Sequence, residues 1–159
     1  MLKDIQFRPI TKDDMDFLHK VYASTRELEL QQTDWNDEQK KAFVDMQFNA
    51  QHTFYMQNYH DATFEVISYK GAPAGRLYLL KSPKELLIVD ITLLPRFCGQ
   101  GIGSEILGQL MREAAETDRS LLIHVEKFNP ALKLYTRLGF KVVEDKDVYF
   151  YMEWKKEEG

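Results

Sequence analysis

Residues 93–107 read LLPRFCGQGIGSEIL, an apolar run that breaks into glycine at positions 99, 101 and 103 and then resumes apolar spacing of helical period. Ahead of the glycines, LLIVDITLL (86–94) is apolar enough for a strand covered on both faces. Behind them, Ile102, Ile106, Leu107, Leu110 and Ala114 mark one face of a helix. Strand, glycine turn and helix in that order put the bare N–H groups of a first helical turn at a strand end, where the helix dipole favours an anion. Two readings of the turn stand level on spacing alone: a phosphate site whose glycines admit close approach, or a tight turn that only packs helix on strand. No Gly-Lys-Ser/Thr follows, so it is not a Walker A loop. Counting from Gly99 through Gly101 reaches Ser104, where a dinucleotide fingerprint needs its third glycine.

Working outward, SLLIHVEK (120–127) predicts a fifth strand, and residues 129–138 a short helix that Gly139 ends in a left-handed turn. KVVED and VYFYMEW close the chain as a hairpin, the latter either core or a surface for a homodimer. Upstream, TFEVISY and AGRLYLLK flank the turn KGAP. A first strand at 4–9 precedes a helix capped by Thr11 with Asp14 and ending near Arg26. A second helix, from Asp37 to about Gln57, carries Phe43, Met46, Ala50 and Phe54 as its core stripe. The strands alternate with helices only around the glycine turn. The expected fold is therefore α+β, an αβα sandwich with a mixed, mostly antiparallel sheet of roughly seven strands and helices on both faces.

The chain has 159 residues, 44% hydrophobic and 29% charged, which suits one folded domain spanning 1–159 with a single sizeable core. A net charge of -4 without a basic run speaks against nucleic acid as partner. No apolar run approaches a membrane span and the first residues lack a signal-peptide core, so the expectation is a cytoplasmic protein with no membrane partner. One cysteine, Cys98, rules out an intramolecular disulfide and a Cys-based zinc cage, and no metal is expected.

Two motifs tip the balance between the readings of the turn. Arg96, Gly99 and Gly101 form R-x-x-G-x-G, which resembles the Q/R-x-x-G-x-G/A pyrophosphate loop of the GNAT superfamily of N-acetyltransferases. NPALKLYTRLGF (129–140) resembles that superfamily's second signature, and the predicted element order fits along nearly the whole chain. The resemblance implies acetyl-CoA as co-substrate, lying in a cleft where the fourth and fifth strands splay apart. Pantetheine would pair with the backbone of Ile91, Thr92 and Leu93, the pyrophosphate would sit on the N–H groups from Cys98 through Gly99, Gln100, Gly101, Ile102 and Gly103 to Ser104, and Asn129 would contact the pantetheine arm. Arg96 would add positive charge. Cys98 stands where many members carry arginine, and a thiol at a helix N-terminus is also a candidate nucleophile.

The implied chemistry is direct acetyl transfer to a primary amine, small-molecule or peptide. Tyr135 matches the tyrosine that commonly acts as general acid at the sulfur, and the Leu93 N–H would polarise the carbonyl. An unperturbed alkyl amine is free base only about once in a few thousand molecules at neutral pH, so a base or water relay helps. Related polyamine acetyltransferases carry a glutamate where this chain has Val89. Asp90, next to it on the opposite face, is one candidate; His124 and Glu126, sharing a face of the fifth strand, are others. Glu27, Trp35, Gln47 and Gln51 are the candidate acceptor-binding residues, in an acidic region suited to a cation. Two rivals stay open: a catalytically silent acyl-CoA-binding module and a dinucleotide-binding oxidoreductase.

Overall fold

The computed structural model of the protein describes residues 2–157. Its strands are β1 (Ile5–Pro9), β2 (Thr63–Tyr69), β3 (Ala72–Lys81), β4 (Glu85–Leu93), β5 (Ser120–Glu126), β6 (Lys141–Lys146) and β7 (Tyr149–Trp154). Its helices are α1 (Met15–Ser24), α2 (Glu27–Gln31), α3 (Asp37–Asn58), α4 (Ile102–Glu116) and α5 (Leu132–Leu138). One seven-stranded sheet runs β1-β2-β3-β4-β5-β7-β6, antiparallel throughout except for the parallel pair β4–β5 that the α4 crossover requires. Among the described residues no helix is long and apolar enough to cross a membrane.

The two faces of the sheet differ in chemistry. On one, Ile106 and Leu110 of α4 pack with Leu77 and Leu79 of β3, and Tyr135 and Phe140 join the same core. On the other, α1 and α3 share a small cluster of Leu18, Tyr22, Val44 and Phe48. The strand partners of α3 there are the polar Arg76, Tyr78 and Asp90. This inverts the expected α3 stripe. Met46 and Phe54 are more than half exposed, because the helix turns Val44, Phe48, Gln51 and Tyr55 inward to meet that polar strand surface.

Three other expectations shift. The first helix stops at Ser24, where the Ser24 hydroxyl donates to Val21 O at 2.6 Å and Thr25 to Tyr22 O at 2.6 Å, and the short α2 follows. The helix expected from Asn129 begins at Leu132, since the Asn129 side chain accepts the Ala131 N–H at 2.9 Å and makes a turn of the preceding residues. VYFYMEW has both edges paired, to β5 and to β6, so it offers no free edge to a second copy.

The expected cap at Thr11 is present, and it does more than start a helix. Asp14, 7% exposed, accepts the Thr11 N–H at 2.7 Å and a two-pronged bond from Arg8 at 2.7 and 2.8 Å, tying the end of β1 to the start of α1. The Arg8 guanidinium, aided by Thr11, holds the carboxyl down at about 2. A carboxyl depressed on folding stabilises above its unfolded value of about 3.9, and that contribution fades as the pH falls toward 2. Because Arg8 is half exposed, solvent screens part of it. Asp14→Asn should therefore cost about 1–2 kcal/mol in urea unfolding at neutral pH, and the gap from wild type should close as the pH drops below about 4.

Candidate active site

Strand β4 is held on only one side over much of its length. It pairs with β5 from Glu85 to Ile88 and no further, while β3 pairs with it from Leu86 to Leu93. The expected splay thus opens at Val89, and β4 is only half-buried from there to Leu93. The Leu94 N–H donates to Ala74 O at 2.8 Å, and backbone groups alternate sides along a strand. Thr92 therefore also addresses β3, and the N–H groups of Ile91 and Leu93 face the opening. Of the expected Ile91–Leu93 pairing edge, Thr92 is withdrawn. Gly75 keeps β3 close at this point, since a Cβ there would lie 2.0 Å from Thr92 O.

Past Leu93 the chain makes a 3-10 turn at Pro95–Phe97 that buries Phe97. Gly99 and Gly101 then adopt left-handed φ values of 75° and 85°, which is where glycine is required. Among the described residues the N–H groups from Gly99 to Ser104 have no acceptor in the chain. A Cβ on Gly99 or Gly101 would meet nothing within 4 Å, so the loop's bare face is open to an approaching anion. Cys98 is a correction to the expected cradle: its N–H is already bonded to Pro95 O at 3.1 Å. Its thiol donates toward Leu93 O and Leu94 O, and burial pushes its pKa up, which removes the case for an activated nucleophile. Ile102 sends its side chain into the core and offers only its backbone. Arg96 lies over the Phe97 ring at 4.6 Å, and its carbonyl accepts the Gln100 amide at 2.6 Å.

Tyr135 is buried on α5 against the edge of Phe140, ring centres 5.6 Å apart, and its hydroxyl has no partner among the described residues. Burial first, and the Asp90 carboxylate second, raise its pKa, so it carries its proton at neutral pH. Asp90 does not project free into the opening. Its Oδ2 accepts from Arg76 at 2.8 Å and from the Tyr55 hydroxyl at 3.0 Å, and its Oδ1 accepts from Thr92 at 2.7 Å. Gln51 accepts the other bond of the same Arg76 nitrogen at 2.8 Å. Arg76 itself is 2% exposed; burial works against its charge, and Asp90 with Tyr78 and Tyr55 together outweigh that and raise its pKa.

His124 and Glu126 do share an outward face of β5. His124 stacks on Tyr151 at 4.5 Å, and burial and then Lys146 lower its pKa, favouring the neutral ring. Glu126 accepts two bonds from Arg26, at 3.0 and 3.4 Å. Beside that pair lies a cavity of about 330 Å³ that Gln47 also lines. Glu27 is exposed and outside it. Trp35 packs on Phe43, which does line it, at 5.3 Å. Asn129 lies just past β5 with its side-chain oxygen spent on the turn.

Arg26, Arg76, Tyr55 and Tyr78 are site residues that the sequence reading did not single out. A detectable signal existed for one: Arg76 interrupts an apolar strand, AGRLYLL, and a cation there needs a partner.

Residues 22–140 match the family model described as the acetyltransferase (GNAT) family. The chain belongs to that family. Among solved structures, PaiA N-acetyltransferase from Thermoplasma acidophilum in complex with coenzyme A is similar at 18% identity, with a TM-score of 0.69 over 96% of this chain and 99% of that one. An acetyltransferase from Thermus thermophilus is 16% identical, TM-score 0.67, over 96% and 97%. A GNAT family acetyltransferase from Elizabethkingia anophelis with acetyl-CoA bound is 16% identical, TM-score 0.59, over 96% and 99%. At these identities the likeness establishes the shared fold. No curated protein matches the sequence.

The buried ion pair sets a clear expectation. Asp90→Asn leaves Arg76 charged and unpaired, which should cost about 3–5 kcal/mol in chemical denaturation. Replacing Arg76 and Asp90 together by apolar residues of similar size should recover only part of that loss, because the Tyr55 hydroxyl and the Gln51 amide then lose their partners.

Proposed function

We propose that this protein transfers the acetyl group of acetyl-CoA directly to a primary amine. The observation that carries the reading is continuous: the free N–H groups of Ile91 and Leu93 in the β4–β5 opening lead into the unpaired N–H groups of Gly99 to Ser104. A strand edge followed by an anion cradle suits a ligand with an amide-bearing arm and a pyrophosphate. The bound co-substrate supplies the thioester whose acetyl group is transferred.

The chain's own residues divide the work. The loop N–H groups and the start of α4 hold negative charge without a matching row of lysines or arginines. Either N–H facing the opening, Ile91 or Leu93, is a donor suited to a carbonyl oxygen that gains charge as the amine attacks. The new N–C bond forms as the C–S bond breaks, and its electron pair goes to sulfur. Tyr135 holds the proton that sulfur takes up. A phenol is a weaker acid than a thiol in water, but an apolar site penalises the thiolate as well as the phenolate, so the burial that raises Tyr135 raises the thiol it protonates too. The amine loses two protons to water at the open mouth, where His124 and Glu126 lie, and one of them returns through water to the Tyr135 phenolate. Overall, ammonium and thioester give amide, thiol and a released proton. Asp90 is better suited to fixing β4 and to keeping Tyr135 protonated than to taking the amine's proton, because its oxygens are already engaged.

Tyr135→Phe should lower kcat at least ~10-fold with little change in KM for acetyl-CoA or in Tm. Unchanged kcat removes Tyr135 from the chemistry. Gly101→Val should weaken CoA binding at least ~10-fold in calorimetry, by straining the left-handed turn and filling the space an anion needs. Undiminished affinity in a folded variant overturns the loop assignment. Binding without turnover of any amine would instead favour the silent acyl-CoA module.

A further inference from the structure

The cavity beside Arg26 sits at the mouth of the strand opening. Glu126 lies three residues past Ile123, the last β5 residue paired with β4, and Ile91 lies three past its partner Ile88. β4 spends an extra residue at Val89, since Ile88 and Asp90 face successive residues of β3, so Ile91 stands about one position short of Glu126; both lie past the last shared rung, Glu126 at the cavity and Ile91 at the opening.

Charge in the cavity is nearly, not fully, compensated. Arg26 donates to Glu126 and, at 2.9 Å, to Glu29. Two carboxylates against one guanidinium leave a single negative charge. Burial opposes the charge of Arg26, and its bonds to Glu126 and Tyr22 outweigh this, so the guanidinium stays charged and holds Glu126 in place. The Gln47 amide and the Tyr149 hydroxyl are the other polar groups among its lining residues.

The remaining wall is apolar. Phe43 is backed by Trp35, and Phe128, Val148 and Tyr149 close the other side. Phe128 is 94% exposed and Val148 56% exposed. Large apolar side chains gathered at the rim of a hole, rather than scattered, mark a place where apolar ligand surface is covered. At about 330 Å³ the cavity is at the small end of ligand sites.

We propose that the acceptor is a small monoamine with an apolar body of about one aromatic ring, of the phenylethylamine type. Its ammonium meets the uncompensated charge at Glu126 and Glu29, and its ring lies against Phe43, Phe128, Val148 and Tyr149. One net negative charge matches one cation, whereas a polyamine carries further charges that would face the apolar wall. The aromatic walls add attraction for a cation as well as for a ring. This assignment rests on the acetyltransferase reading, and binding and turnover test the two separately.

Binding is measured by calorimetry on the full chain saturated with CoA, which has no acetyl group to transfer, using 2-phenylethylamine, 2-phenylethanol, putrescine and a tetrapeptide with a free N-terminus. The expected result is that 2-phenylethylamine binds at least tenfold more tightly than any of the other three. Phe128→Ala removes an exposed side chain that the fold does not need. It should weaken 2-phenylethylamine at least fivefold and leave putrescine and CoA unchanged. Tighter binding of putrescine or the peptide, equal binding of the alcohol, or indifference to Phe128→Ala overturns the proposal. Thiol release from acetyl-CoA is then followed with the three amines. Turnover with 2-phenylethylamine supports both readings, and turnover with putrescine or the peptide instead overturns the acceptor assignment and keeps the transferase. Tight 2-phenylethylamine binding with no turnover of any amine supports the pocket's chemistry and overturns the transferase.

Discussion

The buried ion pair between Arg76 and Asp90 joins β3 to β4 just where β4 lets go of β5. Asp90 is two residues past Ile88, the last rung shared with β5. A strand that loses one neighbour would be free to close the gap or to fray. Here it is gripped from the other side by the ladder to β3, by the close approach that Gly75 permits, and by a carboxylate that collects Arg76, Tyr55 and Thr92. Burying such a pair is costly unless its other bonding capacity is met. The bonds from Tyr55 and Thr92 engage Asp90 further, and one Arg76 nitrogen is shared between Asp90 and Gln51, while Arg76 Nε has no partner among the described residues; the partners that are present come partly from α3. The helix that covers this face is therefore part of what keeps the opening open.

That arrangement links the two sides of the sheet. Asp90 and Arg76 lie on the α3 face, while Tyr135 belongs to the core on the α4 face. The Asp90 charge still reaches Tyr135 and, after burial itself, helps keep its hydroxyl protonated. An acid that is locked in hydrogen bonds can act on a reacting proton only through its field. The glycine-loop side of the opening presents mainly backbone N–H groups. The cavity around Arg26, Glu126 and Phe43, by contrast, is made of side chains.

Much of the architecture was legible because its signals are local. Strand ends, the αL glycines and the caps at Thr11 and Gly139 follow from φ/ψ limits and hydrogen bonding within a few residues. The glycine loop and Tyr135 were legible through a resemblance carried by short motifs, and the family match agrees with it. The face of α3 was not legible. Its apolar residues form a regular stripe, but Met46, Ala50 and Phe54 of that stripe point outward, since the partner surface on β3 and β4 is polar and takes Gln51 and Tyr55. Periodicity identifies a buried face only when burial is apolar.

By itself the sequence determined the order of strands and helices, the left-handed turns, and the run of backbone N–H groups that a glycine-rich loop leaves unpaired. Each of these depends on residues adjacent in the chain. Only the tertiary structure decided which partners each acid takes. Asp90 and Glu126 look alike in sequence, but register brings Arg76, Tyr55 and Thr92 onto the first and leaves the second at a cavity mouth with Arg26. It also decided that the N–H of Cys98 is consumed in its own turn and that the N–H groups of Ile91 and Leu93 face the opening. Such outcomes depend on which strand lies alongside and in what register, a relation between distant residues that no local pattern encodes.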